Sequence, residues 1–378
     1  MVTVTPYIPR NITVHLAGPS TPAPNVTVPF IDYVKNVASS EIYPTWDDAA
    51  LRANILAIIS FALNRVYTEF YRSQGYDFDI TSSTAIDQKF INGRNYFDSV
   101  SRIVDTLFND YLRRQGFVEP LAAKFCNGTT VTCEGLSQWG SQTLAQQGQN
   151  YLQILRNYYG NNIEIVQDAP LRGYTPSYPG TPLRNGSRGP NVVRAQVMLN
   201  RIGRNYPAIA RIPAVDGIYG PQTEAAVRSF QQIFGLTADG IIGKATWYRL
   251  VRLYVGVNSL AELESEGQTF YAVNWQDPGM LQQGARGQSV RQLQFMLRVL
   301  AEYTDQIPPT EQDGIFGPRT REAVVAFQRF AGLEPDGIVG PNTWRELYDR
   351  SASIASVTAR TPGQYPGTPL KLGDSDYS

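Results

Sequence analysis

The stretch Asp216-Gly-Ile-Tyr-Gly-Pro-Gln-Thr223 returns as Asp313-Gly-Ile-Phe-Gly-Pro-Arg-Thr320. Its surroundings return with it. Gly186-Ser-Arg-Gly and Gly284-Ala-Arg-Gly stand before the two copies, and Phe230-Gln and Phe327-Gln behind them. Asp239-Gly-Ile-Ile-Gly…Trp247 and Asp336-Gly-Ile-Val-Gly…Trp344 then close each copy. The offset stays near about 97 residues from end to end, which marks a duplicated module.

Each copy reads as three short helices. Val192, Gln196 and Leu199, matched by Val290, Gln294 and Leu297, repeat at helical spacing. The Asp-Gly-Ile-aromatic-Gly segment that follows suits a tight turn. Pro221 and Pro318 then stand where a helix begins and the missing N–H is harmless. The second helix carries Val227 and Phe230, or Val324 and Phe327; the third carries Trp247 or Trp344. Most of these apolar side chains are expected in a core. Binding is therefore expected on the less repetitive surface, near the loops: Asp216, Tyr219 and Asp239 in the first copy, Asp313, Phe316 and Asp336 in the second.

The repeats organise the rest of the 378 residues. The expected fold class is multidomain, an α+β N-terminal domain over 1–170 followed by two small all-α three-helix modules. A Pro/Gly linker spans 171–185, the first module 186–254, a second linker 255–283 and the second module 284–350. Residues 351–378, with Tyr365-Pro-Gly-Thr-Pro-Leu-Lys matching Tyr178-Pro-Gly-Thr-Pro-Leu-Arg, resemble the start of a third module. In the N-terminal domain, Asn11–Leu16 and Asn25–Pro29 alternate like strands. Ile31–Val37, Asp47–Tyr71, Val100–Leu112 and Tyr151–Tyr159 are expected as helices, the second with Leu51, Ile55, Ile58, Ile59, Ala62 and Val66 on its buried side.

Lys+Arg and Asp+Glu balance at 33 each, which removes the electrostatic case for nucleic acid or an anionic membrane. No basic start followed by an apolar run occurs in 1–24, so no signal peptide is read there. The apolar run Ile55–Leu63 is too short for a span. Cys126 and Cys133 flank Asn127-Gly128, which reads as a hairpin turn that a disulfide closes, with free thiols the other reading. Two cysteines and the single His15 do not complete a zinc shell, so neither metal nor cofactor is expected.

Two resemblances follow from these residues. Each repeat closely resembles the peptidoglycan-binding domain found beside cell-wall hydrolases, which implies binding to glycan strands or stem peptides. Val28-Pro-Phe-Ile-Asp-Tyr-Val-Lys…Ser40-Glu41-Ile-Tyr-Pro-Thr-Trp46 and Gly135-Leu-Ser-Gln-Trp-Gly140…Asn150-Tyr-Leu-Gln-Ile-Leu-Arg-Asn-Tyr-Tyr-Gly160 are similar to the opening and closing motifs of the stage II sporulation protein D family.

That second resemblance implies lytic transglycosylase activity, with Glu41 as the single acid and base. Tyr43, Trp46, Gln138 and Trp139 are the expected substrate contacts, and the apolar setting of Glu41 suits a carboxyl kept protonated. Three positions depart from the family pattern. Ile59 stands where an Arg is usual, Cys133-Glu134-Gly135 replaces Gly-His-Gly, and 80–90 lacks the Cys/His metal residues. Two readings therefore stand. One is a wall-remodelling enzyme. The other is a non-catalytic anchoring or assembly subunit, of the spore envelope or of a phage-tail-like device, that meets itself or an assembly partner through its tail. An open groove at Glu41 would favour the first, and a groove plugged by Ile59 or by a neighbouring module the second.

Overall fold

The computed structural model describes residues 6–350 except 214, 216, 269–279, 302–303, 312, 341, 345 and 349; Asp216 and the 351–378 tail lie outside the described residues. The N-terminal region mixes helices with short strands, and the repeats are helical. Strands β1 (Ile8–Pro9), β2 (Asn11–His15) and β3 (Asn25–Pro29) lead into helices α1 (Phe30–Glu41) and α2 (Asp48–Tyr67). Then come β4 (Ile80–Thr81), α3 (Asp98–Leu107), β5 (Tyr111–Arg114), β6 (Phe125–Cys126) and β7 (Leu136–Ser137). Helices α4 (Gln138–Gln146) and α5 (Tyr151–Tyr159) and strands β8 (Ile163–Val166) and β9 (Leu171–Arg172) complete this part. The largest sheet has the order β3-β2-β4; the other strands pair as β1-β9, β5-β8 and β6-β7.

Two helices differ from their expected form. The apolar pattern of 100–112 fits one helix, but α3 stops at Leu107, and the Asp110 N–H turns back to the Leu107 carbonyl. Tyr111 and Leu112 instead enter β5 opposite Val166 and Ile165, a pairing available only once β8 is in place. Helix α2 was expected to bury one side. It is enclosed on every side, with nearly all residues from Ala50 to Tyr67 buried. It is long and apolar enough to cross a membrane, and here it is the core helix of the domain.

Polar side chains on an enclosed helix can find partners only within the protein, and those of α2 do so in part, since Asn54 Oδ1, Asn64 Oδ1 and Arg65 Nη1 have none. The Asn54 amide donates to Ser141 on α4, and the Ser60 hydroxyl accepts the Leu112 N–H of β5. Asn64 reaches the carbonyls of Pro120 and Leu260. Arg65 pairs with Asp87 at 3.0 Å. Each bond ties a different element to the same axis.

The first repeat comprises α6 (Pro190–Asn205), α7 (Pro221–Ile233) and α8 (Lys244–Val257), and its core takes in Tyr67 and Val118 from the N-terminal region. Both flanking segments are bonded to that region. Buried Glu69 accepts from the Tyr174 hydroxyl and from Ser177, whose Oγ also accepts from the Trp247 indole at 2.9 Å. Behind α8, residues 258–268 run back as a strap. Leu263 joins the N-terminal core, the Lys124 ammonium meets Glu262, and Arg114 donates to the Leu263 carbonyl. Glu119, buried at the far end, accepts from the Ser265 hydroxyl and the Gln268 N–H. Burial pushes its carboxyl above the usual range against these donors.

The second repeat, with α9 (Gln288–Ala301), α10 (Pro318–Phe330) and helical residues at 342–344 and 346–348, has a core drawn from its own residues.

Gly267 in the strap has φ +80°, and a side chain there would overlap the Phe117 ring; Gly116 has φ +81° with open space around it. Gly116→Ala is expected to cost about 1–2 kcal/mol for the left-handed backbone alone. Gly267→Ala is expected to cost a further 1–3 kcal/mol or so through overpacking, read as the difference between their urea midpoints.

Candidate functional site

Glu41 is the last residue of α1 and is half-buried. Its Oε1 accepts the main-chain N–H of Lys89 at 2.8 Å, and its Oε2 faces the Gln138 amide at 3.4 Å. Beside it three rings form a cluster: Tyr43–Trp46 at 5.6 Å, Tyr43–Trp139 at 5.5 Å and Trp46–Trp139 at 5.1 Å between centroids. Trp46 is the buried base of the cluster. Tyr43 is 56% and Trp139 42% exposed, so two large π faces stand open to a ligand. The five residues singled out in two separate motifs, Glu41, Tyr43, Trp46, Gln138 and Trp139, are thus neighbours in space.

Helix α4 carries Gln138 and Trp139 into this place, and its start is fixed several times over. Ser137 caps it by accepting the Gly140 N–H at 3.0 Å. Gln142 holds Asp47 from both sides, accepting its N–H at 3.0 Å and donating to its carboxylate at 2.6 Å. The Cys126–Cys133 loop lies against the same helix start, and the two cysteines are joined as a disulfide.

The loop is not the two-residue hairpin that Asn127-Gly128 suggests. The Asn127 side chain accepts the N–H groups of Thr129, Thr130 and Val131, folding the chain around itself. β6 then pairs in parallel with β7 rather than with its own return. The Asn127 carbonyl accepts the Trp139 N–H at 3.2 Å, which connects the disulfide loop to the aromatic cluster.

Other residues that bear on the reading lie elsewhere. Ile59 is fully buried in the core of α2 and so neither contacts solvent nor plugs a groove. His15 is stacked on Phe78 at 4.7 Å, with its ring nitrogens facing Asn25 Oδ1 and the Thr21 carbonyl. Glu134 is exposed in the disulfide loop. Among the described residues, no group of three or more His, Cys, Asp or Glu side chains is placed to hold a metal. The Lys89 N–H was invisible to sequence reading, because a main-chain donor has no residue-type signature.

In the repeats, the polar loop residues are tied to the fold. The buried amide of Gln294 accepts the Gly314 N–H at 2.8 Å and donates to Asp313 at 2.7 Å and to the Ile315 carbonyl at 3.0 Å. Gln328 does the same for Gly337, Asp336 and Ile338, and Gln231 for Gly240, Asp239 and Ile241. Gln196 clamps Gly217 and Ile218 in the same way. Asp239, Asp313 and Asp336 each also accept the N–H two residues ahead. Tyr219 and Phe316, expected as loop contacts, are fully buried, and the Tyr219 hydroxyl donates to the Gly240 carbonyl. These five side chains help hold the turns and cores in place, while the three aspartates remain exposed at the surface.

Residues 188–250 and 286–347 each match the family described as "Putative peptidoglycan binding domain". The matches coincide with the two repeats, so the chain carries two peptidoglycan-binding domain segments. An N-acetylmuramoyl-L-alanine amidase of Mycobacterium tuberculosis is 31% identical over 181 residues, covering 47% of this chain and 39% of that protein. The chain thus spans well under half of that relative. An N-acetylmuramoyl-L-alanine amidase of Bacillus licheniformis is 25% identical over 285 residues, 75% of each chain. The crystal structure of the SleB N-terminal domain is similar over 21% of this chain and 99% of its own, at 31% identity and a TM-score of 0.18.

The Ile315 N–H and the Gln294 amide hold the Asp313 carboxyl below its usual range, and the Ile241 N–H and Gln231 do the same for Asp239. A carboxyl depressed in the folded state stabilises above its unfolded pKa, and that contribution disappears as pH falls through the folded value. The repeats are therefore expected to lose thermal stability as pH drops below about 4. Asp313→Asn should flatten the acid limb of Tm against pH without shifting its neutral-pH slope.

Proposed function

We propose that this protein associates with cell-wall peptidoglycan through its two repeats and cleaves the glycan strand with Glu41 as the acid and base of a lytic transglycosylase. The polymer is supported by the two peptidoglycan-binding segments and by the amidases among the similar proteins. The choice of bond rests on one observation: a half-buried carboxylate bonded on both oxygens beside a cluster of two exposed aromatic rings. Sugar rings present axial C–H faces that pack on such π surfaces. A glycan lying over Tyr43 and Trp139 would carry a glycosidic oxygen past Glu41.

The chemistry needs one group used twice. The Glu41 carboxyl gives its proton to the glycosidic oxygen as the bond to C1 breaks. The resulting carboxylate then takes the proton of the muramyl 6-hydroxyl as that oxygen bonds to C1, closing a 1,6-anhydro ring. No water enters and no second carboxylate is required, unlike hydrolytic glycosidases. The Lys89 N–H and the Gln138 amide hold the two oxygens in fixed directions through the cycle.

A non-catalytic anchoring role is favoured by Ile59. At position 59, where the resemblance implies an Arg, the side chain is aliphatic and lies inside the core. Digestion of purified peptidoglycan and spore cortex, with products read by mass spectrometry, separates the two. Anhydro-muropeptides from the wild type, and none from Glu41→Gln, are the expected result. Sedimentation with the insoluble wall without released product would leave the anchoring reading. Trp139→Ala is expected to weaken glycan binding by about 0.5–1.5 kcal/mol, read as a raised KM with kcat little changed.

A further inference from the structure

Residues 82–91 form a loop with little regular structure, yet its middle is anchored by buried side-chain hydrogen bonds. The Asp87 side chain is 0% exposed and accepts four hydrogen bonds. The Arg65 Nε donates to it at 3.0 Å, the Tyr71 hydroxyl at 2.5 Å, the Thr81 N–H at 3.0 Å and the Thr81 hydroxyl at 2.7 Å. Arg65 is itself stacked between the rings of Phe61 and Phe70, at 4.7 and 4.0 Å. Gln88, buried at 1%, accepts from the Tyr33 hydroxyl of α1 at 2.9 Å and donates to the Ile58 carbonyl of α2 at 3.1 Å. Three residues beyond Gln88, Ile91 exchanges bonds with the Asn36 side chain at 2.9 and 2.7 Å. Lys89 lies between these anchors, and its N–H is the donor to Glu41.

We infer that Asp87 and Gln88 are positioning residues for Glu41. They fix the Lys89 main-chain N–H as a preorganised donor and so fix the direction in which the carboxylate faces. The inference rests on the reading of Glu41 as the acid and base.

Its physical basis is that an exposed loop N–H would move with its loop, and a glutamate bonded to it would share that motion. Here the two residues before the donor are bonded into α1, α2 and β4, and the residue two positions after it is bonded into α1. The donor therefore keeps its place whether or not substrate is present, which is the condition for an electrostatic contact to assist a reaction without reorganising. Buried ion pairs such as Arg65–Asp87 add little net stability, and fixing register is their best-attested use.

The chain contains only five lysines, Lys35, Lys89, Lys124, Lys244 and Lys371, so selective 15N-lysine labelling of the full protein yields a spectrum in which the Lys89 amide is easily assigned. Four proteins are compared: wild type, Glu41→Gln, Gln88→Met and the double variant. Glu41→Gln is expected to move the Lys89 resonance in the wild-type background and to leave it unmoved in the Gln88→Met background. Gln88→Met is also expected to lower kcat for glycan release roughly tenfold to a hundredfold with KM little changed. Gln88→Glu, which keeps an acceptor for Tyr33, should recover part of the loss.

A Lys89 response to Glu41→Gln that survives in Gln88→Met overturns the positioning inference, whatever the activity. Absence of glycan release by the wild type, together with loss of that response in Gln88→Met, defeats the catalytic reading and leaves the positioning geometry standing. If Gln88→Met does not fold, Tyr33→Phe removes one of the same two anchors with less disturbance and is judged by the same Lys89 response.

Discussion

From Ala53 to Tyr67 helix α2 is surrounded by protein, so no polar side chain along that stretch can turn to water. That requirement organises the molecule. Asn54 holds α4, Ser60 holds β5, Asn64 holds the strap behind the first repeat, and Arg65 holds the loop that reaches Glu41. Just past the helix, Glu69 in left-handed conformation holds the segment leading into the first repeat. Leaving any of these buried donors or acceptors unpaired would cost about 1–3 kcal/mol. The elements that meet them are consequently fixed in register and not merely packed.

The same rule operates on a smaller scale in the repeats. Each module is small, with a correspondingly modest apolar core. Its Asp-Gly-Ile turns bring backbone N–H and carbonyl groups into the interior, and a buried glutamine satisfies them at each turn. The arrangement recurs in all four turns, at Gln196, Gln231, Gln294 and Gln328. It gives a folding reason for Asp, Gly, Ile and Thr to recur together at these places. Repetition here reports a demand of folding.

The two repeats stand in different relations to the rest of the described chain. The first shares its core with Tyr67 and Val118 and is bonded through both flanking segments, with Ser177 bridging Trp247 of the repeat and Glu69 of the N-terminal region. The second has a core of its own residues. A polymer segment held by the first repeat is thus held by the same packed body that carries Glu41. Around that carboxylate the fold has assembled parts of different origin: a helix end, a main-chain donor from a loop, and a second helix whose start rests against a disulfide loop.

Much of this was legible in the sequence. Periodicity and matched turn residues announced the duplicated three-helix module, because helical spacing and Asp-Gly turns are local properties. Two short motifs announced Glu41 with Tyr43 and Trp46, and Gln138 with Trp139. The paired cysteines announced a bridge. Other features were not legible, for a common reason. The end of α3 at Leu107 depends on β8, more than fifty residues away, and the parallel pairing of β6 depends on β7. The burial of Tyr219 and Phe316 follows from the way three helices close around the turn. The strap could not be seen in a stretch that reads as a linker, because its partners are Arg114, Glu119 and Lys124, far off in the chain. Sequence by itself determined the modules, their turns and the residue types brought to the site, since these follow from spacing along the chain. Tertiary structure alone decided which polar groups serve the fold and which stay open to a ligand, since that depends on what is buried against what.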